Sequence, residues 1–216
     1  MKIAVSFLKS EHDKKSTIQY INQSIADYIH VDIMDGEFVQ NKNASAKEFI
    51  ELLKNSNKPL DIHLMVNNPL SYIKELIVLK NIEFITFHYE LNADIQSLIN
   101  YCTRYNIKAG LAINPNTNII GDAEILKYLP SLSQILVMSV NPGIGGQSFI
   151  PDILDKITWL KKIKIQNGYQ YLISVDGGIN EETAKLCKNS GAEMLACGYF
   201  VCQSDSFNQQ IELLLK

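Results

Sequence analysis

Eight short apolar runs recur along the chain, and this repetition limits its fold more than any other feature does. The runs are Ile3–Phe7, Tyr28–Ile33, Leu60–Met65, Phe84–His88, Lys108–Ile113, Gln134–Val140, Tyr171–Val175 and Met194–Cys197. After each comes a segment with apolar residues at helical spacing: Thr17–Ser24, Glu48–Lys54, Leu70–Lys80, Ile95–Tyr105, Asp122–Leu129, Asp152–Gln166, Glu181–Ser190 and Ser206–Leu215. Pro69 and Pro151 stand where a first helical turn favours proline, and Asn180 before Glu181 and Glu182 reads as a cap with acids at the positive helix end. Near-continuous apolar strands that alternate with helices predict a parallel sheet covered on both faces. Eight such units in 216 residues predict one (β/α)8 TIM barrel domain over residues 1–216, and not an open doubly wound sheet. The first run is followed by LKSEHDKK, which lacks the glycine-rich turn of a dinucleotide site, so no nucleotide cofactor is expected.

Charge and composition exclude several classes of partner. The 20 basic and 23 acidic residues are scattered, with no basic block to neutralise a phosphate backbone, which speaks against nucleic acid and anionic membrane. The opening MKIAVSFLKSEHDKK has an apolar run too short for a signal-peptide core, and no stretch approaches transmembrane length. The chain is therefore read as soluble and cytoplasmic. Its four cysteines, Cys102, Cys187, Cys197 and Cys202, have no CxxC spacing and sit in apolar or helical contexts, as buried reduced thiols do.

Chemistry enters with the second run, YIHVDIM. Side chains two apart on a strand share a face, so His30 and Asp32 project together toward the barrel axis, near the end where such barrels build their sites. The third run brings His63, and ISVDGGIN ends the seventh on Asp176. Two imidazoles and two carboxylates at one mouth offer four N/O ligands to a divalent cation such as Zn²⁺, Mn²⁺, Fe²⁺ or Co²⁺. Each residue alone has an ordinary reading: a histidine satisfied by a carbonyl, or an Asx turn at Asp-Gly-Gly. The joint pattern weighs more, because three of the four histidines, His30, His63 and His88, fall at predicted strand ends while His12 falls in a loop. His88 is read as a supporting residue, since nothing beside it demands a ligand. Met34, Met65 and Met138 lie at or just past the ends of the strands expected from the second, third and sixth runs, as core fillers or as an apolar lining around a reactive intermediate.

Glycines mark the other half of the site. VNPGIGGQSF carries Gly143, Gly145 and Gly146, DGGIN carries Gly177 and Gly178, and CGYF carries Gly198. Glycine-rich loops at three consecutive strand ends present backbone N–H groups to an anion, and this is where a barrel keeps a phosphate. A phosphorylated small molecule is the expected ligand.

These residues resemble the ribulose-phosphate 3-epimerase family nearly end to end. HVDIMDGEFVQN, LDIHLMVNNP, FITFHYE, KAGLAINPNT, VMSVNPGIGGQSFIP and VDGGIN occur in the family's order and on the expected strands. The resemblance implies a metal-dependent enzyme that interconverts D-ribulose 5-phosphate and D-xylulose 5-phosphate, and a homo-oligomer. Carried over, His30, Asp32, His63 and Asp176 are its metal ligands, with Asp32 and Asp176 also the acid/base pair. Ser6 and His63 become substrate contacts. Gly143, Ile144, Gly145, Gly146, Gly177, Gly178, Gly198 and Tyr199 become the phosphate cradle. Inverting a carbon beside a ketone removes a proton from one face and returns one to the other, which asks for two carboxyl groups.

The chain departs from the family pattern at Val5 (usually proline), Lys9-Ser10-Glu11, Glu37 (histidine), Gln40 (proline), Ile144 (phenylalanine) and Tyr199 (serine). A charge at Glu37 and a phenol at Tyr199 bear on the sugar accepted. The alternatives are a 3-epimerase of a hexulose phosphate such as D-allulose 6-phosphate, and a barrel that binds a sugar phosphate without turning it over.

Overall fold

Alternation along the strands decides the architecture. In β2 (Tyr28–Met34), Ile29, Val31 and Ile33 point outward and pack in the main core with the helices, while Tyr28, His30, Asp32 and Met34 point inward. The outward aliphatic residues of every strand are buried, each worth about 1.5–3 kcal/mol on removal from water. The inward positions are thus free to be polar. The computed structural model describes residues 1–216 except Lys9, Glu11, His12 and Asp205. His12, expected in a loop, and Lys9 and Glu11 of the segment after the first strand lie outside the described residues.

The other strands are β1 (Lys2–Ser6), β3 (Leu60–Met65), β4 (Ile82–His88), β5 (Lys108–Ile113), β6 (Gln134–Met138), β7 (Leu172–Asp176) and β8 (Met194–Cys197). They pair in parallel in sequence order, and β1 pairs with β8 to close the barrel. The expected single-domain (β/α)8 TIM barrel is what the chain forms.

Around it run α1 (Lys14–Gln23), α2 (Ala46–Leu53), α3 (Pro69–Leu76), α4 (Ile95–Arg104), α5 (Ala123–Leu126), α6 (Ile153–Asn167), α7 (Glu181–Ser190), α8 (Tyr199–Cys202) and α9 (Phe207–Leu215). Caps fix several starts. Pro69 is at the first turn of α3, Asn180 accepts from the N–H groups of Glu182 and Thr183, and Ser45 forms a capping box with Glu48 at α2.

Two expectations need correction, and one element was not foreseen. The helix predicted over Asp122–Leu129 is one turn, α5, followed by a 3₁₀ turn at Leu129–Ser131, because Pro130 has no N–H to continue the ladder. Pro151 precedes the cap Asp152 and so lies before α6, not in its first turn. The four-residue α8 was not expected, being too short to show a helical period.

All four cysteines are unpaired and buried, as predicted, and burial pushes the thiols of Cys102 and Cys187 up to about 12. Among the described residues no helix is long and apolar enough to cross a membrane.

Candidate active site

Strand register assembles the site. Parallel pairing sets His30 beside Asp61 and Asp32 beside His63, all pointing inward, and Asp176 enters from β7 beside Ala196 of β8. One ligand atom from each of His30, Asp32, His63 and Asp176 falls within 4.8 Å of the others. His30 is the third of seven residues in β2 and His63 the fourth of six in β3, so both imidazoles lie deeper than the strand ends where they were expected. They are fully buried and form the floor; the carboxylate of Asp176, 18% exposed, opens to the mouth.

The donor set fits a divalent cation. Nε2 of His30 is buried without hydrogen-bond geometry to any described residue, yet lies 3.2 Å from Oδ1 of Asp32 and 3.8 Å from Oδ2 of Asp176. Nδ1 of His63 lies at the same two distances from the same two oxygens. Two imidazole nitrogens and two carboxylate oxygens aimed at one point suit a borderline metal ion, and the absence of thiolate argues against a soft structural site.

The electrostatics pull the two carboxyl groups apart. Burial alone would raise Asp32, but the neighbouring His30 charge and the close contacts of His30 and His63 hold it far below the usual carboxylate range. Asp176 is pushed up to about 7, chiefly by burial and then by the charge on Asp32. Burial would lower His30, yet Asp32 and Asp61 raise it well above the ordinary imidazole value. His63 is driven down to about 4 by burial, with His88 and His30 alongside, against the pull of Asp32.

Supporting groups hold these side chains in place. Nδ1 of His30 meets Oδ2 of the fully buried Asp61 at 2.7 Å, and the Gln134 amide donates to the other oxygen of Asp61 at 3.1 Å. A carboxylate behind a histidine fixes its tautomer and leaves the second nitrogen facing the site. The Ser6 hydroxyl donates to Oδ2 of Asp32 at 2.9 Å and accepts the Leu8 N–H at 3.2 Å, so Ser6, expected at the substrate, also anchors Asp32. Sequence reasoning missed Asp61. Its signal was present: Asp61 and His63 are two apart and share a face as His30 and Asp32 do.

Above the cluster opens a cavity of about 550 Å³. Ser6, Asp32 and Asp176 line it, as do Met34, Met65 and Met138. The loops after β6, β7 and β8 form one wall with Gly143, Ile144, Gly145, Gly146, Gly177, Gly178, Gly198 and Tyr199. Ile144 and Tyr199 are 53% and 59% exposed at its rim. Glu37 is exposed and does not line the cavity, which removes the acid expected close to the site.

Glycine is required at Gly177. Its φ is +113°, and a Cβ would stand 2.3 Å from Cγ2 of Val140. Gly177→Ala is expected to cost roughly 1–3 kcal/mol of stability through backbone strain alone. Thermal unfolding checks this, and an unchanged midpoint would contradict it.

With this geometry in hand, the chain can be set beside known proteins. The Ribulose-phosphate 3 epimerase family matches residues 2–202. The ribulose-phosphate 3-epimerase of Chlamydia pneumoniae is 34% identical over 200 residues, covering 90% of this chain and 84% of that protein. That of Bacillus subtilis (strain 168) is 34% identical over 209 residues, covering 95% and 94%. Among solved structures, 3-keto-L-gulonate-6-phosphate decarboxylase from Vibrio cholerae shares the fold with a TM-score of 0.70 at 17% identity, over 99% of this chain and 95% of that one. The match across nearly the whole length and the identity to these relatives lead to one conclusion: the chain belongs to the ribulose-phosphate 3-epimerase family.

Proposed function

We propose that this protein is a metal-dependent 3-epimerase that interconverts D-ribulose 5-phosphate and D-xylulose 5-phosphate. One observation carries the reading: two carboxyl groups meet at one cavity, with Asp32 held ionised and Asp176 able to keep a proton near neutrality. That is the division of labour needed to invert a carbon, where one group takes a proton from one face as the other supplies one to the opposite face. In one direction Asp32 accepts the C3 proton and Asp176 donates its own. In the other they exchange roles.

The cation ligands in this reading are His30, Asp32, His63 and Asp176. When bound, a divalent ion supplies Lewis-acid polarisation of the ketone and its neighbouring hydroxyl. The chain's own groups do the rest. Ser6 keeps Asp32 oriented through its hydrogen bond and touches the sugar from the floor of the cavity. Met34, Met65 and Met138 exclude water from the enediolate formed as the proton leaves. Backbone N–H groups of the glycine-rich loops after β6, β7 and β8 hold the phosphate, with Ile144 and Tyr199 at the rim. The relatives named above are ribulose-phosphate 3-epimerases, which supports the pentulose as substrate.

The test is a coupled assay of metal-replete protein with D-ribulose 5-phosphate beside D-allulose 6-phosphate. Turnover favouring the pentulose is expected. A preference for the hexulose would move the substrate to the longer sugar, and no turnover of either by folded, metal-loaded protein would leave a binding barrel.

Cation binding should also release protons. Below about pH 7, His30 and Asp176 both carry a proton that a cation must displace, because both are raised. Affinity for Zn²⁺ should therefore rise with pH through this range. Calorimetric titration in buffers of different ionisation heat would count the protons, and a count of zero at about pH 6 would contradict the assignment.

A further inference from the structure

The loop after β2 is bonded to both halves of the proposed site, although none of residues 35–43 lines the cavity. β1 ends at Ser6, paired with His30, so β2 runs on past the end of its neighbour. Asn43 supplies the missing partner groups. Its side-chain amide donates to the Asp32 carbonyl at 2.7 Å, its side-chain oxygen accepts the Met34 N–H at 3.0 Å, and its own N–H donates to the Met34 carbonyl at 3.2 Å. Three hydrogen bonds thus tie the end of the loop to the strand that carries Asp32.

Two residues earlier, Asn41 reaches the glycine-rich loop after β6. Its side-chain amide donates to the Gly143 carbonyl at 2.8 Å. Gly143 is buried with a φ of +97°, and a Cβ there would stand 2.7 Å from Cβ of Val39, so glycine lets the one loop lie directly on the other. Within the β6 loop the Gln147 amide donates to the carbonyls of Asn141 at 2.7 Å and Ile144 at 2.6 Å, which braces residues 141–147 as one unit. Among the described residues, Asn41 is the one side chain from outside that hydrogen-bonds to this unit.

That bond decides which way one peptide faces. The carbonyl and N–H of a trans peptide point in opposite directions. Asn41 lies outside the cavity, so it draws the Gly143 carbonyl to the outer side of the loop and leaves the N–H of Ile144 turned the other way, available to an anion. Released from Asn41, the peptide is free to turn over and set a carbonyl oxygen against the phosphate. We infer that Asn41 is a positioning residue for the phosphate end of the substrate: anchored through Asn43 to the strand of Asp32, it holds the Gly143–Ile144 peptide with its N–H toward the anion. The inference rests on the reading of the glycine-rich loops as the phosphate cradle.

Asn41→Leu tests it, because leucine keeps the branched shape and lacks the donor; Asn41→Ala serves as a second variant. Inorganic phosphate titrated into the full chain supplied with Zn²⁺, and followed in ¹H–¹⁵N spectra, reads the cradle without turnover. The unsubstituted protein should show saturable shifts at the amides of Ile144, Gly145 and Gly146, and both variants should need about 3–10-fold more phosphate, the range for one hydrogen bond. KM for D-ribulose 5-phosphate should rise by a similar factor with kcat held within about twofold, as when binding is lost equally from substrate and transition state. Zn²⁺ bound per chain should not change, since Asn41 touches no proposed ligand. Equal phosphate affinity in all three proteins, or a fall in kcat with KM unchanged, overturns the inference. Unsubstituted protein whose loop amides ignore phosphate removes the cradle itself, a failure of the reading beneath, and with it the role assigned to Asn41.

Discussion

Asp176→Asn should lower turnover of D-ribulose 5-phosphate by about 10³-fold or more, within or beyond the range for loss of a proton-transfer group. Asparagine keeps the shape of the side chain but neither holds nor returns a proton. In the proposed reading its amide would also weaken one of four cation ligands, so two measurements are needed together. Bound metal per chain, read by elemental analysis, separates loss of the ion from loss of the proton carrier. The account predicts that variant protein saturated with Zn²⁺ remains inactive. Recovery of near-normal turnover on saturation would mean Asp176 serves only as a ligand.

Asp61→Ala is the largest expected stability effect. Asp61 is fully buried, and its removal leaves Nδ1 of His30 and the amide of Gln134 without their carboxylate. Breaking one side of a buried charged network costs roughly 3 kcal/mol, and a chain of this size loses about 2–4 °C of Tm for each kcal/mol. The loss should depend on pH. His30 holds its proton more tightly in the folded chain than in the unfolded one. That contribution is fully present below about pH 6.5, the unfolded imidazole value, and fades as pH rises through the higher folded value. In chelator-treated protein, then, the difference between Asp61→Ala and the unsubstituted chain should be widest in mild acid. A difference that grows toward alkaline pH would contradict the pairing of Asp61 with a protonated His30.

The barrel was legible because its outward residues obey a simple rule. Ile29, Val31 and Ile33 belong to the core whatever the site does, and eight such runs with helices between them leave few alternatives. His30, Asp32 and His63 broke the apolar pattern at inward positions, which is why they could be found. Asp61 breaks it in the same way, but its partner His30 lies on another strand and the pairing appears only with the register. The position of Glu37 outside the cavity likewise depends on the loop after β2, where Asp35 accepts the N–H groups of Glu37 and Phe38 and sets the turn.

Proton transfer at C3 by two carboxyl groups is the central claim, and conversion of D-ribulose 5-phosphate in deuterium oxide, followed by proton NMR from the first turnovers, tests it most directly. The account predicts D-xylulose 5-phosphate that carries deuterium at C3 from its first appearance, because the group that donates on the new face has exchanged with solvent. Product that retains its original C3 proton would contradict it, since that proton would have been carried across the carbon without Asp32 and Asp176 acting on opposite faces.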